Sequence, residues 1–187
     1  MILVDNGKRA GARVAVLGTF DGVHKGHQEL LKVGKKYATE HNILLRAVSF
    51  DRHPLEVLRS ASAPKQLTDI PEKIRLMEKY GVDELQLLTF TRELADMEPE
   101  SFLGMLREMM DLRAVVAGWN YSFGKGGRGD ADLLKQDGIK YGYDVMIVQP
   151  VRTNAGDIIS STLIREKLRE GNQHEAEEML GHSWREP

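Results

Sequence analysis

Two histidines three residues apart stand out in the stretch LGTFDGVHKGH, which runs from Leu17 to His27. Imidazoles at this spacing, His24 and His27, can bind a metal ion, transfer protons or donate hydrogen bonds to phosphate. Zinc would need a third ligand with a fitting spacing, and nucleophilic catalysis would need a serine or cysteine paired with a base. The sequence shows neither, and its other histidines are scattered: His41, His53, His174 and His182. Two exposed loop histidines are the structural alternative.

The glycines around the two histidines favour phosphate binding. Gly18 allows a sharp turn after an apolar run, and Gly22 and Gly26 allow a ligand to approach the backbone closely. The helix expected next directs its free amide groups and the positive end of its dipole to the same place. Lys25 either adds charge to this site or is simply exposed to solvent.

A second candidate anion site is the stretch ISSTLIR near the end of the chain. Ser160, Ser161 and Thr162 open a predicted helix with three hydroxyl groups. Arg165 follows one turn later and offers a fork-shaped donor for phosphate. The alternative is a well-capped helix with a surface arginine. Two such helix starts in one α/β domain indicate that a polyphosphate is held between them.

Apolar runs and helical spacing alternate along the chain. We expect strands at five places: Val14–Leu17, Ile43–Phe50, Glu84–Leu88, Ala114–Ala117 and Asp144–Val148. We expect helices at Lys25–His41, Pro71–Tyr80, Pro99–Met110, Ala131–Tyr141, Ser160 or Ser161 to Glu170, and Asn172–Gly181. This alternation predicts an α/β fold, a parallel five-stranded sheet with helices on both faces. Ligands bind such sheets at the carboxyl ends of the strands.

The composition is that of one soluble globular domain. The chain has 187 residues, a hydrophobic fraction of 41% and a net charge of −2, so attraction to phosphate has to be local rather than global. The absence of cysteine excludes disulfides and thiolate metal sites, and no apolar run suits a signal peptide or a membrane span. We expect a cytoplasmic protein without nucleic-acid or membrane partners, and no obligate protein partner is evident. The small polar segment Arg59–Pro64 is predicted to be a mobile loop.

Four sequence blocks resemble those of one family. GTFDGVHKGH carries the HxGH motif of the nucleotidylyltransferases, and ISSTLIR is similar to their ISSTxIR motif. FDRHP, at 50–54, and GWNYSFGKGGRGD, at 118–130, resemble two further blocks. In this order the blocks make the chain similar to the bacterial FAD synthetases, in their FMN adenylyltransferase module, from about Val14 to Gly181.

The resemblance implies a Rossmann-like fold of the nucleotidylyltransferase type and transfer of AMP from ATP to FMN, giving FAD and pyrophosphate. His24 and His27 would contact the nucleotide phosphates. Ser161, Thr162 and Arg165 would hold the departing β- and γ-phosphates. These are the residues that we expect to be catalytic. The motifs imply further ATP-site residues at Gly18, Thr19, Phe20, Asp21, Gly26, Asn120 and Ser160.

The cofactor and the flavin pocket also follow from the resemblance. Mg²⁺ is expected because it bridges triphosphate oxygens and needs few protein ligands, with Asn120 as the candidate ligand. The flavin is expected beside the segment after Phe50 and the loop Asn120–Asp130. The candidate flavin-binding residues are Asp51, Arg52, Phe123 and Arg128. Asp51 and Asn120 are alternatively loop caps.

The chain departs from the family pattern in several places. The second block often reads FDPHP, and Arg52 stands here in place of the proline. Ile158 and Leu163 lie where the family often has basic residues beside the last motif. A riboflavin kinase module usually follows, whereas this chain stops at LGHSWREP. We therefore expect one adenylyltransferase domain over residues 1–187, without riboflavin kinase activity.

Two other functions fit the same motifs. In the first, the chemistry is the same and the acceptor is another phosphorylated cofactor precursor instead of FMN. In the second, the chain is a weakly active relative that binds flavin or nucleotide as a regulator. The intact histidines and Arg165 argue against the second function, because a pure binder does not need both phosphate clusters.

Overall fold

The described part of the chain builds one parallel sheet of six strands. The structure is a computed structural model, and it describes residues 1–4, 9–58 and 63–185. The strands are β1 (Ile2–Val4), β2 (Arg9–Leu17), β3 (Leu44–Phe50), β4 (Glu84–Leu88), β5 (Met110–Gly118) and β6 (Asp144–Val148). Their order across the sheet is β1-β4-β3-β2-β5-β6.

Helices connect the strands, and each expected helix is present. They are α1 (Lys25–Glu40), α2 (Pro54–Leu58), α3 (Ile70–Lys79), α4 (Arg92–Ala95), α5 (Pro99–Met109), α6 (Ala131–Tyr141), α7 (Ser161–Arg169) and α8 (Gln173–Leu180). The short helices α2 and α4 were not expected. Ser160 caps α7 as predicted, by accepting a hydrogen bond from the amide of Leu163. Among the described residues, no helix has both the length and the apolar character needed to cross a bilayer.

The sheet confirms the predicted α/β class and corrects the predicted number of strands. The extra strand, β1, is only three residues long and pairs with β4 at the edge of the sheet. Three residues are too few to show an alternating pattern, so the sequence gives no signal for this strand. Part of the predicted mobile loop Arg59–Pro64, residues 59–62, lies outside the described residues.

Alternate side chains of the central strands fill two apolar layers. Val14 and Val16 of β2 pack with Leu31 of α1 on one face of the sheet. Ala15 and Leu17 of the same strand face the opposite layer, which contains buried residues of α5 and α6. This two-residue period, apolar on both sides, is typical of a strand covered by helices on both faces. Helices α7 and α8 share a third, smaller apolar cluster.

The order of the strands reverses between β2 and β5. From β2 the chain adds β3 and then β4 on one side, and it returns to place β5 and β6 on the other side. All the paired strands are parallel, so their carboxyl ends lie along one edge. The crevice at such a reversal is the usual ligand site of an open α/β sheet.

A buried cluster of charges lies under α5, on the strands β2, β3 and β4. The carboxylate of Glu84 accepts hydrogen bonds from Nε of Arg13 and Nε of Arg46, each at 2.8 Å. All three residues are at most 5% exposed. Burial alone would raise the pKa of Glu84, and the two guanidinium groups lower it below its ordinary value.

The substitution Glu84→Gln is expected to lower the free energy of unfolding by about 3–5 kcal/mol, because it leaves two guanidinium groups buried without their anion. Chemical denaturation measures this change. Glu29→Gln is the control: Glu29 pairs with Lys32 on the exposed surface of α1, and its loss should cost less than about 1 kcal/mol. Equal effects of the two substitutions would contradict the role given to Glu84.

Candidate functional site

A cavity of about 870 Å³ opens at the carboxyl edge of the sheet, at the reversal between β2 and β5. Its walls come from the segments after β2, β3, β4, β5 and β6 and from the start of α7. Most of the predicted ATP-site residues line it: Gly18, Thr19, His24, Gly26, His27, Asn120, Ser160, Ser161, Thr162 and Arg165. The two predicted anion sites therefore face one cavity, although they are far apart in the sequence.

The loop between β2 and α1 carries the first site in a strained conformation. Phe20 and Val23 have φ values of 49° and 38°, in the left-handed region that non-glycine residues rarely adopt. Both side chains are fully buried. Such conformations persist where the surrounding structure holds them, and they are concentrated at functional sites.

The two imidazoles stack on each other at the start of α1. Their ring centroids are 3.7 Å apart and the rings are tilted by 17°. His24 is the N-cap of α1, and its Nδ1 accepts a hydrogen bond from the amide of His27 at 3.4 Å. A Cβ atom at Gly26 would lie 3.0 Å from Cε1 of His24. Glycine is therefore favoured between the histidines, because a larger residue would crowd the ring of His24.

Both histidines are neutral near pH 7. Burial lowers the pKa of His24 to about 4, and Arg165 adds to this effect. Burial also lowers the pKa of His27, helped by the neighbouring His24 and Lys73. Because Nδ1 of His24 accepts a hydrogen bond, its proton is on Nε2, which can donate. Nδ1 of His27 is buried, and it has no hydrogen-bond partner in the described part of the chain.

The three hydroxyl residues at the start of α7 have different roles. Ser160 caps the helix through the amide of Leu163, at 3.2 Å. Ser161 donates a hydrogen bond to the backbone oxygen of Asp21 at 2.9 Å and so ties α7 to the histidine loop. Thr162 is exposed and lines the cavity. Thr162 is thus the hydroxyl with most freedom to meet a ligand.

Arg165 also lines the cavity, but two nitrogen atoms of its guanidinium group already bind other parts of the protein. Its Nε donates to the backbone oxygen of Lys65 at 2.7 Å, and its Nη2 forms an ion pair with Asp21. The other carboxylate oxygen of Asp21 accepts hydrogen bonds from the amides of Leu67, at 2.8 Å, and Thr68, at 3.3 Å. Arg165 is therefore fixed in position at the cavity wall.

Two predicted ATP-site residues lie behind the cavity wall. Asp21 is 4% exposed, and its carboxylate faces Arg165 and the backbone of 67–68. Phe20 is fully buried, and its ring contacts the ring of His27 edge-on at 5.2 Å. The structure places both residues as supports of the site rather than on its surface.

Of the four predicted flavin-binding residues, only Phe123 lines the cavity. Asp51 accepts hydrogen bonds from the amide of Phe90, at 3.1 Å, and from the neighbouring Arg52. Arg128 is exposed and pairs with Glu98. The cavity wall has other aromatic rings beside Phe123, and these are Phe50, Phe90, Phe102, Trp119 and Tyr121.

The structure adds two residues that the sequence analysis missed. His53 lines the cavity, and its Nδ1 accepts a hydrogen bond from the amide of Leu55 at 3.1 Å, which leaves Nε2 to donate. Lys73 is 5% exposed, and its Nζ lies 3.0 Å from the backbone oxygen of Thr19 and 3.4 Å from that of Phe50. Burial lowers the pKa of Lys73. His53 stands in the block FDRHP, which is a usable signal, whereas α3 shows no pattern that predicts a buried lysine.

The described residues contain no group of three or more histidines and carboxylates that could hold a metal ion. The cavity wall offers few oxygen ligands, among them the amide oxygen of Asn120 and the carboxylate of Asp96. This set does not form a dedicated cage, but it suits an ion such as Mg²⁺, which keeps several waters and binds mainly to substrate phosphates.

The fold and the site define a class of protein: an α/β domain of the nucleotidylyltransferase type, with two helix starts that converge on one cavity. Comparison with sequence families narrows this class. Residues 7–163 match the family described as FAD synthetase, a range that includes both histidines, Ser161 and Thr162. The chain belongs to the FAD synthetase family.

Individual relatives agree with this assignment. A protein named FAD synthetase from Listeria monocytogenes is 39% identical, covering 95% of this chain and 72% of that protein. A bifunctional riboflavin kinase/FMN adenylyltransferase from Escherichia coli K12 is 34% identical, covering 90% of this chain and 54% of that protein. This chain therefore spans about half the length of the bifunctional relatives that it matches.

A solved structure shares the fold over almost the whole chain. It is described as a macrolide-efflux protein from Streptococcus pneumoniae, and it matches with a TM-score of 0.84 at 32% identity. The match covers 97% of this chain and 61% of that protein. The architecture of this chain therefore exists in an experimentally determined protein.

The neutral state of His24 leads to a prediction about pH. The folded protein resists protonation of His24 down to about pH 4, whereas the unfolded chain takes up the proton near pH 6.5. Stability should therefore fall as the pH is lowered from 6.5 towards 4. Imidazole resonances in NMR spectra, with unfolding curves in the same window, measure both effects. A titration midpoint of His24 near 6.5 would contradict the burial described here.

Proposed function

We propose that this chain catalyses the synthesis of FAD by transferring AMP from ATP to FMN. The observation that carries the proposal is that the histidine pair and the start of α7 face one cavity, in a member of the FAD synthetase family. The hydroxyl of Ser161 bonds the histidine loop directly, at 2.9 Å from the oxygen of Asp21, so the two anion sites are adjacent.

The reaction needs an attacking and a leaving phosphate in line with the α-phosphorus of ATP. A phosphate oxygen of FMN forms a bond to the α-phosphorus, the bond from that phosphorus to the bridging oxygen of the β-phosphate breaks, and pyrophosphate leaves. The protein forms no covalent intermediate in this scheme. Its contribution is to position the reactants and to stabilise the charge that develops on the phosphates.

In this proposal, the histidines act as neutral hydrogen-bond donors. Nε2 of His24 donates to a phosphate oxygen, and His27 binds the same phosphate region. The imidazole of His24 is neutral near pH 7, because burial lowers its pKa to about 4. The amide groups at the start of α1 add the positive end of the helix dipole.

The leaving pyrophosphate is assigned to the start of α7. Thr162 offers its hydroxyl at the cavity surface, and the first amides of the helix favour an anion there. Arg165 supplies the positive charge, held in place by Asp21 and the oxygen of Lys65. A guanidinium group with its position already fixed stabilises the departing charge without reorganisation.

The flavin ring is assigned to the aromatic part of the cavity. Phe50, at the end of β3, and Phe90, just after β4, contact each other edge-on, with ring centroids 5.0 Å apart. Phe123 stacks on Tyr121, with ring centroids 5.7 Å apart, in the loop after β5. Aromatic walls suit a planar tricyclic ring. That Asp51, Arg52 and Arg128 contact the flavin stays a prediction. In this arrangement they do not line the cavity.

Mg²⁺ remains a proposal that the chemistry of the wall supports. When bound with ATP, the ion supplies charge neutralisation on the triphosphate. Asn120 follows β5 at the crevice, and its amide oxygen is the side-chain ligand that this chain would offer. Likewise, a cytoplasmic location and the absence of nucleic-acid or protein partners stay predictions from the sequence.

The chain is expected to carry adenylyl transfer without riboflavin phosphorylation. Incubating these residues with riboflavin and Mg-ATP should give no FMN, while FMN and Mg-ATP should give FAD, both followed by chromatography. Formation of FMN from riboflavin would contradict the assignment of residues 1–187 to a single activity.

The substitution His27→Asn tests the proposed function. It should lower kcat for FAD formation by about 10²–10³-fold, because the shorter asparagine side chain does not reach the position of the distal ring nitrogen and the charged transition state loses one positioned donor. The control is His41→Ala, since His41 stacks on Tyr37 at the far end of α1, with centroids 4.1 Å apart, and should leave kcat unchanged. If His27→Asn has wild-type turnover, the role of the histidine pair is wrong; if another phosphorylated acceptor reacts and FMN does not, the acceptor is wrong.

A further inference from the structure

The turn after α8 packs against the back of the histidine loop. We call His182, Ser183 and Trp184 the C-terminal strap. The strap lies on the side of the loop away from the cavity, since neither His182 nor Trp184 lines it. Its hydrogen bond from His182 reaches the loop at Gly22, two residues before His24.

One contact of the strap is a hydrogen bond to the loop backbone. Nε2 of His182 lies 2.9 Å from the backbone oxygen of Gly22, and because a carbonyl only accepts, the ring donates here. The amide of Gly22 donates to Oγ1 of Thr68 at 3.1 Å. Side chains from two distant segments thus hold both polar groups of Gly22. Gly22 itself has φ +81°, and a Cβ there would lie 2.9 Å from Cδ1 of Leu67.

The second contact of the strap runs through Leu67. Nε1 of Trp184 donates to the backbone oxygen of Leu67 at 3.2 Å, and the amide of Leu67 donates to the carboxylate of Asp21 at 2.8 Å. Trp184 also packs on the apolar cluster of α7 and α8. The backbone amide of Trp184 bonds Glu177 at 2.9 Å, which fixes the strap to α8.

The loop needs such support because its backbone is strained. Phe20 and Val23, which lie on either side of Asp21 and Gly22, both have positive φ values. The oxygen of Val23 accepts a hydrogen bond from Gln28 at 2.8 Å, and the same amide group of Gln28 bonds the oxygen of Leu180 at 2.6 Å. The end of α8 and the strap therefore hold the strained peptides that lead directly into His24.

We propose that His182 and Trp184 are positioning residues for the phosphate chemistry: they hold the loop 20–24 in the conformation that places the imidazoles. Their effect on turnover rests on the proposed function. The strap beyond α8 then supports the adenylyl-transfer site from behind the loop, although the family match ends at residue 163.

The test compares His182→Ala with His182→Gln in the whole 187-residue chain. Hydrogen exchange at the amides of 22–27 should become about tenfold faster in the alanine variant, the factor expected for one lost hydrogen bond. Its kcat for FAD formation should fall by about the same factor, with little change in the KM for FMN, and the thermal midpoint should stay within a few degrees. The glutamine variant keeps a donor and should recover most of both losses. Trp184→Phe keeps the apolar ring, removes the donor to Leu67 and should produce a similar pattern.

His174→Ala is the matched control, because His174 is an exposed histidine on α8 whose Nε2 lies 3.9 Å from the carboxylate of Glu178. Unchanged exchange at 22–27 in His182→Ala would overturn the proposal, and so would faster exchange without loss of kcat. An equal loss in His174→Ala would also overturn it, because the effect would then be one of general stability. If the wild-type chain makes no FAD, the proposed function fails by itself, and the exchange measurement still decides whether the strap holds the loop.

Discussion

The site depends on the contacts that the buried carboxylate of Asp21 makes. It binds the guanidinium group of Arg165 on one side and the amides of Leu67 and Thr68 on the other. The backbone oxygen of the same residue accepts the hydroxyl of Ser161. One buried residue thus joins the histidine loop, the segment before α3 and the start of α7. Without it, Arg165 would lose its ion pair, and the amides of Leu67 and Thr68 would lose their acceptor.

The electrostatics of the site follow from burial rather than from an excess of basic residues. The two imidazoles are neutral, since burial lowers the pKa of each. Positive potential comes from Arg165, from two helix starts and from Lys73 beneath the loop. A ligand with several negative charges would meet fixed donors in a cavity partly shielded from water, where each is worth more than at the surface. The proposed binding of a polyphosphate is therefore compatible with a net charge of −2.

Local features of the sequence predicted much of the fold and of the cavity wall. Gly18, the two histidines and the cap at Ser160 act on their near neighbours, so their roles can be read from spacing. The partners of Asp21 could not be found this way, because Leu67 is 46 residues away and Arg165 is 144 residues away. The burial of Lys73 was not predicted either, because a lysine in an amphipathic helix normally faces solvent. The packing of α3 over the strand ends buries it. Strand β1 was missed because three residues carry no period.

The cluster of Arg13, Arg46 and Glu84 has a consequence for the opposite end of the sheet. Arg46 stands directly beside Glu84 in the pairing of β3 with β4, and Arg13 reaches the same carboxylate from β2. A slip of one residue between these strands would turn a charged side chain into an apolar layer, so their register is specified electrostatically. The loops that follow β2, β3 and β4 therefore begin at fixed positions relative to one another. The buried charges of Arg13, Arg46 and Glu84 therefore help to align the strand ends that form the cavity.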